Sequence, residues 1–169
     1  MHESVFNTSR QIVYNSNSRE SRFMDIRSGR WQDAAQIAEL LGQLDYAATV
    51  DFVEDKLSRL IQHLDAQLLV AADDVDRVIG FVSLHFIPQL GVEGDFCRIS
   101  YFCVDRKSRS VGVGKRLEAA IVEAAVQRQC DRIEVHCHAR RSRAHNFYAR
   151  RGYSENPKYL LKRLNRCVL

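Results

Sequence analysis

The chain has 169 residues, of which 46% are hydrophobic, and its 25 basic and 21 acidic side chains give a formal charge of +4. This length suits one domain with a sizeable core, and the composition excludes global disorder. Because the basic residues alternate with acidic ones, the small positive charge does not predict a nucleic-acid partner.

The five cysteines are odd in number, and no two of them are spaced as C-x-x-C. We therefore expect neither a disulfide framework nor a structural zinc site. The first residues lack the apolar segment of a signal peptide, and no later apolar run has the length of a membrane-spanning helix. These features predict a soluble, cytoplasmic protein without a membrane partner.

Residues 1–22 are rich in Ser, Asn and Arg and show no sustained periodicity, which predicts a tail. Within it, RQIVYN (Arg10–Asn15) favours a short strand that pairs with a sheet edge of the same chain or of a second subunit. A homodimer is one consequence of that pairing.

From residue 23 onward, the hydrophobic spacing predicts a single α/β domain over 23–169. The predicted elements, in chain order, are a strand over 23–28, a helix over 31–44, a helix from a cap at Thr49 or Asp51 to Leu64, strands over 67–74, 77–87 and 96–104, a helix from Val113, a strand over 132–138, a helix over 142–152 that ends at Gly152, and a strand over 158–164.

The turn RSVGVGK joins a predicted strand to the helix that follows it. A nucleotide P-loop does not fit, because Arg109 and Arg116 stand where it needs Gly and Ser or Thr. A dinucleotide fingerprint does not fit either, because Leu117 replaces its third glycine. The remaining pattern is R-x-x-G-x-G, in which Gly112 and Gly114 let a phosphate approach the N–H groups of a helix start. The alternative is a plain turn whose glycines serve only the backbone conformation.

Two stretches carry a resemblance to a known family. VDRKSRSVGVGKRL (Val104–Leu117) is similar to motif A of the GNAT N-acetyltransferase superfamily, and AHNFYARRGY (Ala144–Tyr153) is similar to its motif B helix. The resemblance extends over 23–164 and includes LLGQLDYAATVDF (Leu40–Phe52), which resembles the substrate-side helices of small members. It implies the GNAT fold, a mixed and mostly antiparallel α/β sheet flanked by helices and splayed between strands four and five.

The resemblance further implies that acetyl-CoA is the cosubstrate and that no metal is used. The pantetheine arm is expected to pair with the backbone of one strand, and the turn is expected to hold the pyrophosphate. The cofactor-binding residues implied in this way are Phe102, Cys103, Val104, Arg109, Ser110, Val111, Gly112, Val113, Gly114, Lys115 and Arg141. Two of them depart from the family pattern, since Ser110 stands where many members have Gly and Arg141 where many have Asn.

Tyr148 matches the family's general acid, a phenol that protonates the departing CoA thiolate. The sequence shows no obvious base, because Tyr101 occupies the apparent place of the glutamate that some relatives use. Arg98, Ser100 and Phe102 alternate onto one strand face, so Ser100 is a candidate proton relay through water. His85 is expected to pack or to line the site rather than to act as a ligand.

Glu134, His136 and His138 alternate along the predicted strand over 132–138. Two imidazoles at i and i+2 do not complete a zinc site, so a surface or substrate-facing cluster is the better interpretation. The candidate substrate residues are Tyr46, Ser100 and Glu134. The acceptor amine, a small molecule or a peptide, is expected from the side of the first two helices, where carboxylates at Asp51, Glu54, Glu93 and Asp95 suit a cation.

Two other classes of function compete with an N-acetyltransferase. A non-catalytic acyl-CoA sensor would keep the glycine turn without needing the acid at Tyr148. A nucleic-acid-binding module would use the basic and aromatic stretch ARRSRAHNFYARR (Ala139–Arg151), which is otherwise a charged helix exterior.

Overall fold

The computed structural model describes residues 24–156 and 160–162. The tail, with its predicted strand Arg10–Asn15, lies outside these residues. Contacts divide the chain into two compact units, the first ending at Glu134 and the second beginning at Val135. No helix among the described residues has the length and apolar character needed to span a membrane.

The first unit alternates helices and strands much as hydrophobic periodicity predicts. Its elements are β1 (Met24–Ser28), a 3₁₀ helix (Trp31–Asp33), α1 (Ala34–Gly42), α2 (Val50–Gln62), β2 (Ala66–Asp73), β3 (Val78–Ile87), β4 (Phe96–Val104), a second 3₁₀ helix (Arg106–Ser108) and α3 (Val113–Gln127), followed by β5 (Arg132–Val135), whose last residue belongs to the second unit. The predicted cap of α2 is confirmed, since the Thr49 hydroxyl accepts the N–H of Phe52 at 3.3 Å.

The strands form one sheet in the order β1-β2-β3-β4-β5. The first three neighbouring pairs are antiparallel. The N–H of Asp131 donates to the carbonyl of Asp95 at 2.8 Å, so β4 and β5 begin side by side. Strands that begin at the same end of a sheet run parallel, which makes the sheet mixed. The predicted α/β class with a mixed sheet is confirmed.

A β-bulge interrupts β4. Ser83 lies opposite Tyr101 whereas Leu84 lies opposite Ile99, which leaves Ser100 as the extra residue. A bulge shifts the side-chain alternation by one residue, so Tyr101 joins Ser100 on one face. The prediction that Phe102 shares a face with Arg98 and Ser100 is therefore wrong, because the bulge turns Phe102 to the opposite face.

Helices cover both faces of this sheet. On one face, α1 and α2 pack on a core that includes Val70, Phe81 and Cys103. On the other face, the first turn of α3 approaches β3 at Gly80, where an added Cβ would lie 3.0 Å from the Cys103 carbonyl oxygen and 3.1 Å from Leu117. The missing side chain thus allows the start of α3 to sit against the sheet.

The second unit contains α4 (Ser142–Arg150). Its end is a Schellman motif, in which Gly152, at φ 85°, donates to the carbonyl of Ala149 and Tyr153 donates to that of Tyr148. The prediction that Gly152 stops this helix is confirmed. The rings of Tyr148 and Tyr153 supply the apolar contact that accompanies the motif, with centroids 5.2 Å apart.

Two predicted strands differ from the structure. The strand over 132–138 ends at Val135. Beyond it, a turn forms in which Arg141 donates to the carbonyl of His138 at 2.9 Å and the N–H of Arg140 donates to its ring at 3.2 Å. The strand over 158–164 lies mostly outside the described residues, and its described part, 160–162, is not in a strand.

Candidate functional site

The loop between β4 and α3 is fixed at its first residue. Asp105 donates its N–H to the carbonyl of Ile79 at 2.9 Å, and its carboxylate accepts the N–H of Lys107 at 3.1 Å. This second bond lowers the pKa of the Asp105 carboxyl. The side chain of Gln43, just after α1, donates to Asp105 at 3.3 Å and accepts the N–H of Arg106 at 3.0 Å. The loop therefore starts from a defined position.

The middle of the loop folds back on the sheet. Arg109 donates from Nε to the carbonyl of Val104 at 3.2 Å, which holds its exposed guanidinium beside the end of β4. Ser110 follows at φ 68°, in the left-handed region that favours glycine. A glycine, which the family pattern of the sequence analysis has at this place, would adopt this conformation without strain. The next side chain, Val111, is 71% exposed.

Gly112 is the residue from which α3 begins. Its φ is 92°, in the left-handed region that favours glycine. An added Cβ would meet no atom within 4 Å, so glycine is needed here for the backbone conformation and not for lack of space. No side chain caps α3, and its first turn carries no acid. Val113 anchors that turn in the core, whereas Lys115 is exposed. Such a helix start, with its positive dipole end, favours an anion.

Arg116, by contrast, has a structural role. It donates from a guanidinium nitrogen to the carbonyl of Met24 in β1 at 2.6 Å. Gly114 is the second residue of α3 and is half-buried.

The predicted pantetheine-binding backbone is the last part of β4. There Cys103 is buried, and its thiol donates to the carbonyl of Leu40 at 3.3 Å. Phe102 and Val104, on either side of it, are half-buried. β4 has nine residues and β5 only four, and the two strands begin side by side. The last part of β4 therefore extends past the end of β5.

An open groove of about 520 Å³ lies near the start of β4. Its lining residues come from the link between α2 and β2, from the end of β3 with the residue after it, and from β4; they are His63, Asp65, His85, Phe86, Ile87, Pro88, Arg98 and Ser100. Nδ1 of His85 lies 2.9 Å from Oγ of Ser100, within hydrogen-bonding distance. The sequence predicts that His85 packs or lines the site, and in the structure it lines this groove.

Charges around the groove lower the basicity of His85. Burial lowers the pKa of its imidazole, and the nearby charges of His63 and Arg98 lower it further. Arg98 itself forms an ion pair with Glu134 at 3.0 Å. The carboxylate of Glu134, a candidate substrate residue, is therefore held by Arg98. Of the predicted acceptor-side carboxylates, none lines the groove, whose carboxylate is Asp65.

An aromatic pair lies on the same face of the sheet. The rings of Tyr46 and Tyr101 meet edge to face, with centroids 5.3 Å apart, and are 48% and 38% exposed. Burial raises the pKa of the Tyr101 phenol, and Tyr46 raises it further. Asp51 and Glu54 are exposed along α2.

In the second unit, Tyr148 is buried. Burial raises the pKa of its phenol, and the charges of Cys137 and Tyr153 raise it further, so the hydroxyl keeps its proton. Arg141 lies just before α4, and its carbonyl accepts the N–H groups of Ala144 and His145 at 2.9 and 3.1 Å.

The two histidines predicted to share a strand face with Glu134 do not lie in a strand. His136 and His138 follow the end of β5, so the alternation that would align them is lost. No group of three or more His, Cys, Asp or Glu side chains within 24–156 and 160–162 is arranged to hold a metal ion.

Comparisons with solved structures give the same fold in several acetyltransferases. Glucosamine-6-phosphate N-acetyltransferase from Arabidopsis thaliana is 18% identical with a TM-score of 0.73, over 84% of this chain and 99% of its own. A GNAT family acetyltransferase from Staphylococcus aureus is 21% identical with a TM-score of 0.72, over 84% and 99%. An aminoglycoside N-acetyltransferase in complex with CoA is 19% identical with a TM-score of 0.74, over 85% and 95%.

Among curated protein sequences, none is significantly similar to this chain. The acetyltransferase (GNAT) family, however, matches residues 26–153, which include the loop, the groove and α4. The match covers most of the chain and agrees with the structural likenesses. The chain therefore belongs to the acetyltransferase (GNAT) family.

Proposed function

We propose that the protein transfers the acetyl group of acetyl-CoA to a primary amine. The observation that carries this proposal is the start of α3, where Gly112 in the left-handed conformation leads into a helix with no side-chain cap and no acid in its first turn. This arrangement, in a member of the family, suits the pyrophosphate of acetyl-CoA.

The cofactor would bind along the loop and then along β4. Backbone N–H groups of Ser110–Lys115 hold the phosphates, and the exposed charges of Arg109 and Lys115 add attraction. From there the pantetheine arm runs back along Phe102–Val104 as an added strand would. Its thioester end then lies towards the bulge at Ser100, two residues further back.

The acceptor would approach on the face that carries α1 and α2. The groove at His85 and Ser100 and the exposed rings of Tyr46 and Tyr101 are on this side. Two of the structurally similar proteins are, by their names, N-acetyltransferases of amino sugars, which supports an amine acceptor. We propose a small-molecule or peptide amine and no nucleic acid.

Acetyl transfer requires two proton movements. An amine of pKa about 10.4 is only about 0.1% neutral at pH 7.4, so the attacking nitrogen needs a path by which to lose a proton. Its lone pair forms the new bond to the thioester carbon, and the C–S bond breaks to leave a thiolate on CoA.

For Tyr148 we propose the role of acid towards this thiolate. The raised pKa keeps its phenol protonated. The thiol of CoA has a pKa of about 8.5, below that of a phenol. Transfer of the phenolic proton to the thiolate therefore costs about 1.4 kcal/mol for each unit by which the pKa of the phenol exceeds that of the thiol. The main contribution of the phenol is then a hydrogen bond that strengthens as negative charge develops on sulfur, with water restoring any proton transferred.

Calorimetry of CoA binding tests the loop. Gly112→Asp places a negative charge beside the pyrophosphate, and like charges some 4 Å apart repel by about 1–4 kcal/mol, so we expect affinity to fall by a factor between about 5 and about 700. Gly112→Asn is the matched control, since Asn has the same size, tolerates the left-handed conformation and carries no charge. Equal affinities for the two variants would contradict the assignment.

A screen of amines with acetyl-CoA, following release of free thiol, tests the reaction itself. Thiol release that depends on the amine and yields its acetyl derivative supports the proposed transferase. Tight CoA binding without turnover on any amine would instead identify a cofactor-binding sensor.

A further inference from the structure

We infer that Ser100 and His85 form the proton-accepting pair of this site, with Ser100 receiving the proton of the acceptor amine and His85 receiving that of Ser100. The inference rests on the proposed function and names the base that the sequence leaves unidentified. It is carried by the distance of 2.9 Å between Oγ of Ser100 and Nδ1 of His85 inside the groove.

The bulge in β4 exposes this hydroxyl. Ser100 is the residue that has no direct partner in β3, and its side chain is exposed. Arg98, two residues before it, lies opposite His85, so all three side chains share the face that carries α1 and α2. A bulge commonly redirects a side chain beside an active site.

The surroundings keep His85 neutral and able to accept a proton. The titratable and charged groups that face it are His63 at the end of α2, Asp65 before β2, and Arg98 in β4 with its partner Glu134 in β5. Burial and the charges of His63 and Arg98 lower the pKa of its imidazole, so it is unprotonated at neutral pH. In the tautomer that carries its proton on Nε2, its Nδ1 accepts from the serine hydroxyl.

Neighbouring groups are less suited to this role. The carboxylate of Glu134 is held by Arg98, which makes it a poor proton acceptor. Tyr101 has a phenol whose pKa is raised, so it stays protonated and has no free base form at neutral pH. Asp65 accepts from Arg128 at 3.4 Å, which directs its carboxylate to an ion pair.

The proton and the electrons balance as follows. The neutral amine attacks the carbonyl carbon, and the carbonyl electron pair moves to oxygen. The nitrogen, now positive, gives one proton to Oγ of Ser100 as the serine proton passes to Nδ1 of His85. The oxygen electron pair then restores the carbonyl, the C–S bond breaks, and the sulfur keeps that electron pair. Aided by repulsion from Arg98, the imidazolium then returns its Nδ1 proton to Oγ of Ser100 as the serine hydroxyl gives a proton to water in the groove, which restores the starting tautomer.

Four variants test the pair with acetyl-CoA and the amine acetylated fastest in the screen. His85→Gln and Ser100→Ala should each lower kcat about 10²- to 10⁴-fold, the usual contribution of proton transfer. The double variant should be no slower than the slower single variant, because both remove one path. Ser100→Thr, which keeps a hydroxyl, should retain most of the rate. CoA affinity by calorimetry should be the same in all four.

The pH profile separates a proton acceptor from a structural contact. Wild-type kcat should fall at acid pH with a midpoint below about 6.5, matching the titration of His85 followed by NMR, and this limb should be absent in His85→Gln. A variant that keeps both the rate and the acid limb would overturn the pair while leaving the transferase intact. Absence of CoA binding or of acetyl transfer in the wild type would overturn the proposed function, and the pair with it.

Discussion

Gln43 and Asp105 are 62 residues apart in the chain, and the amide of the first donates to the carboxylate of the second at 3.3 Å. The same amide group accepts the N–H of Arg106 at 3.0 Å. One side chain just after α1 thus links this helix to the first turn of the loop that leads to α3.

We expect Gln43→Ala to loosen this loop. Two hydrogen bonds of about 0.5–1.5 kcal/mol each are lost. Because the contacts are near the surface, water can form hydrogen bonds to the groups left behind and so recover part of this energy. The free energy of unfolding, from urea denaturation, should fall by about 1 kcal/mol, and CoA affinity should fall a few-fold. Unchanged CoA affinity in a folded variant would show that the loop holds its shape without Gln43.

Gly80→Ala should separate α3 from the sheet. Its new Cβ would lie 3.0 Å from a backbone oxygen and 3.1 Å from Leu117, and neither atom is the free end of a flexible surface side chain. Overpacking of this kind costs about 1–3 kcal/mol. Gly91→Ala is the control, since a Cβ there meets nothing within 4 Å. Chemical denaturation of both variants checks the contrast, and equal stabilities would contradict the close approach.

Acid should destabilise the fold through His85. Because the pKa of this imidazole is lowered in the folded state, the unfolded chain binds its proton more readily. The stabilising effect is complete above the unfolded pKa of about 6.5 and is lost as the pH falls from there towards the folded value. Urea denaturation at pH 7.5 and pH 5.5 should therefore show a smaller loss of stability for His85→Gln than for the wild type. A loss of equal size in both proteins would assign the effect to other groups.

Tyr148→Phe keeps the ring that packs on Tyr153 and removes only the hydroxyl. Folding and CoA affinity should hardly change, whereas kcat should fall by roughly 10²- to 10⁴-fold if the phenol assists the leaving thiolate. Because burial raises its pKa, loss of the phenolic proton should not limit the wild-type rate below about pH 10. Full turnover by the variant at saturating acetyl-CoA would reduce Tyr148 to a packing role.

The helices and strands could be predicted from the sequence because each depends on residues close together in the chain. Hydrophobic spacing predicts a helix over 31–44 where α1 lies, Thr49 marks the start of α2, and Gly152 marks the end of α4. The glycine turn was accessible for the same reason, since its conformation depends on residues next to one another in the chain. The resemblance to motifs A and B then supplied the family.

The bulge, the groove and the hydrogen bonds from Gln43 to the loop could not be predicted in this way. Ser100 lies in a continuous β-branched and aromatic run without the glycine that often marks an irregular strand. His63 and Gln43 act through partners far along the chain, so no local pattern distinguishes them from ordinary surface residues. The early end of β5 follows from turn bonds around His138, which compete with an otherwise strand-like alternation.

The extra residue at Ser100 reverses the alternation of side chains between the two faces of β4. Before it, odd-numbered positions such as Ile99 face α3; after it, odd-numbered positions such as Cys103 face α1 and α2. Assigning the faces of β4 by a single even–odd alternation would therefore place the side chains of half the strand on the wrong face. Deleting Ser100 itself would restore a regular ladder without turning either half of the strand over, because Ile99 would stay opposite Leu84 and Tyr101 opposite Ser83. The fold should accordingly tolerate loss of this one residue, and the cost of the deletion should fall on the groove that the Ser100 side chain lines.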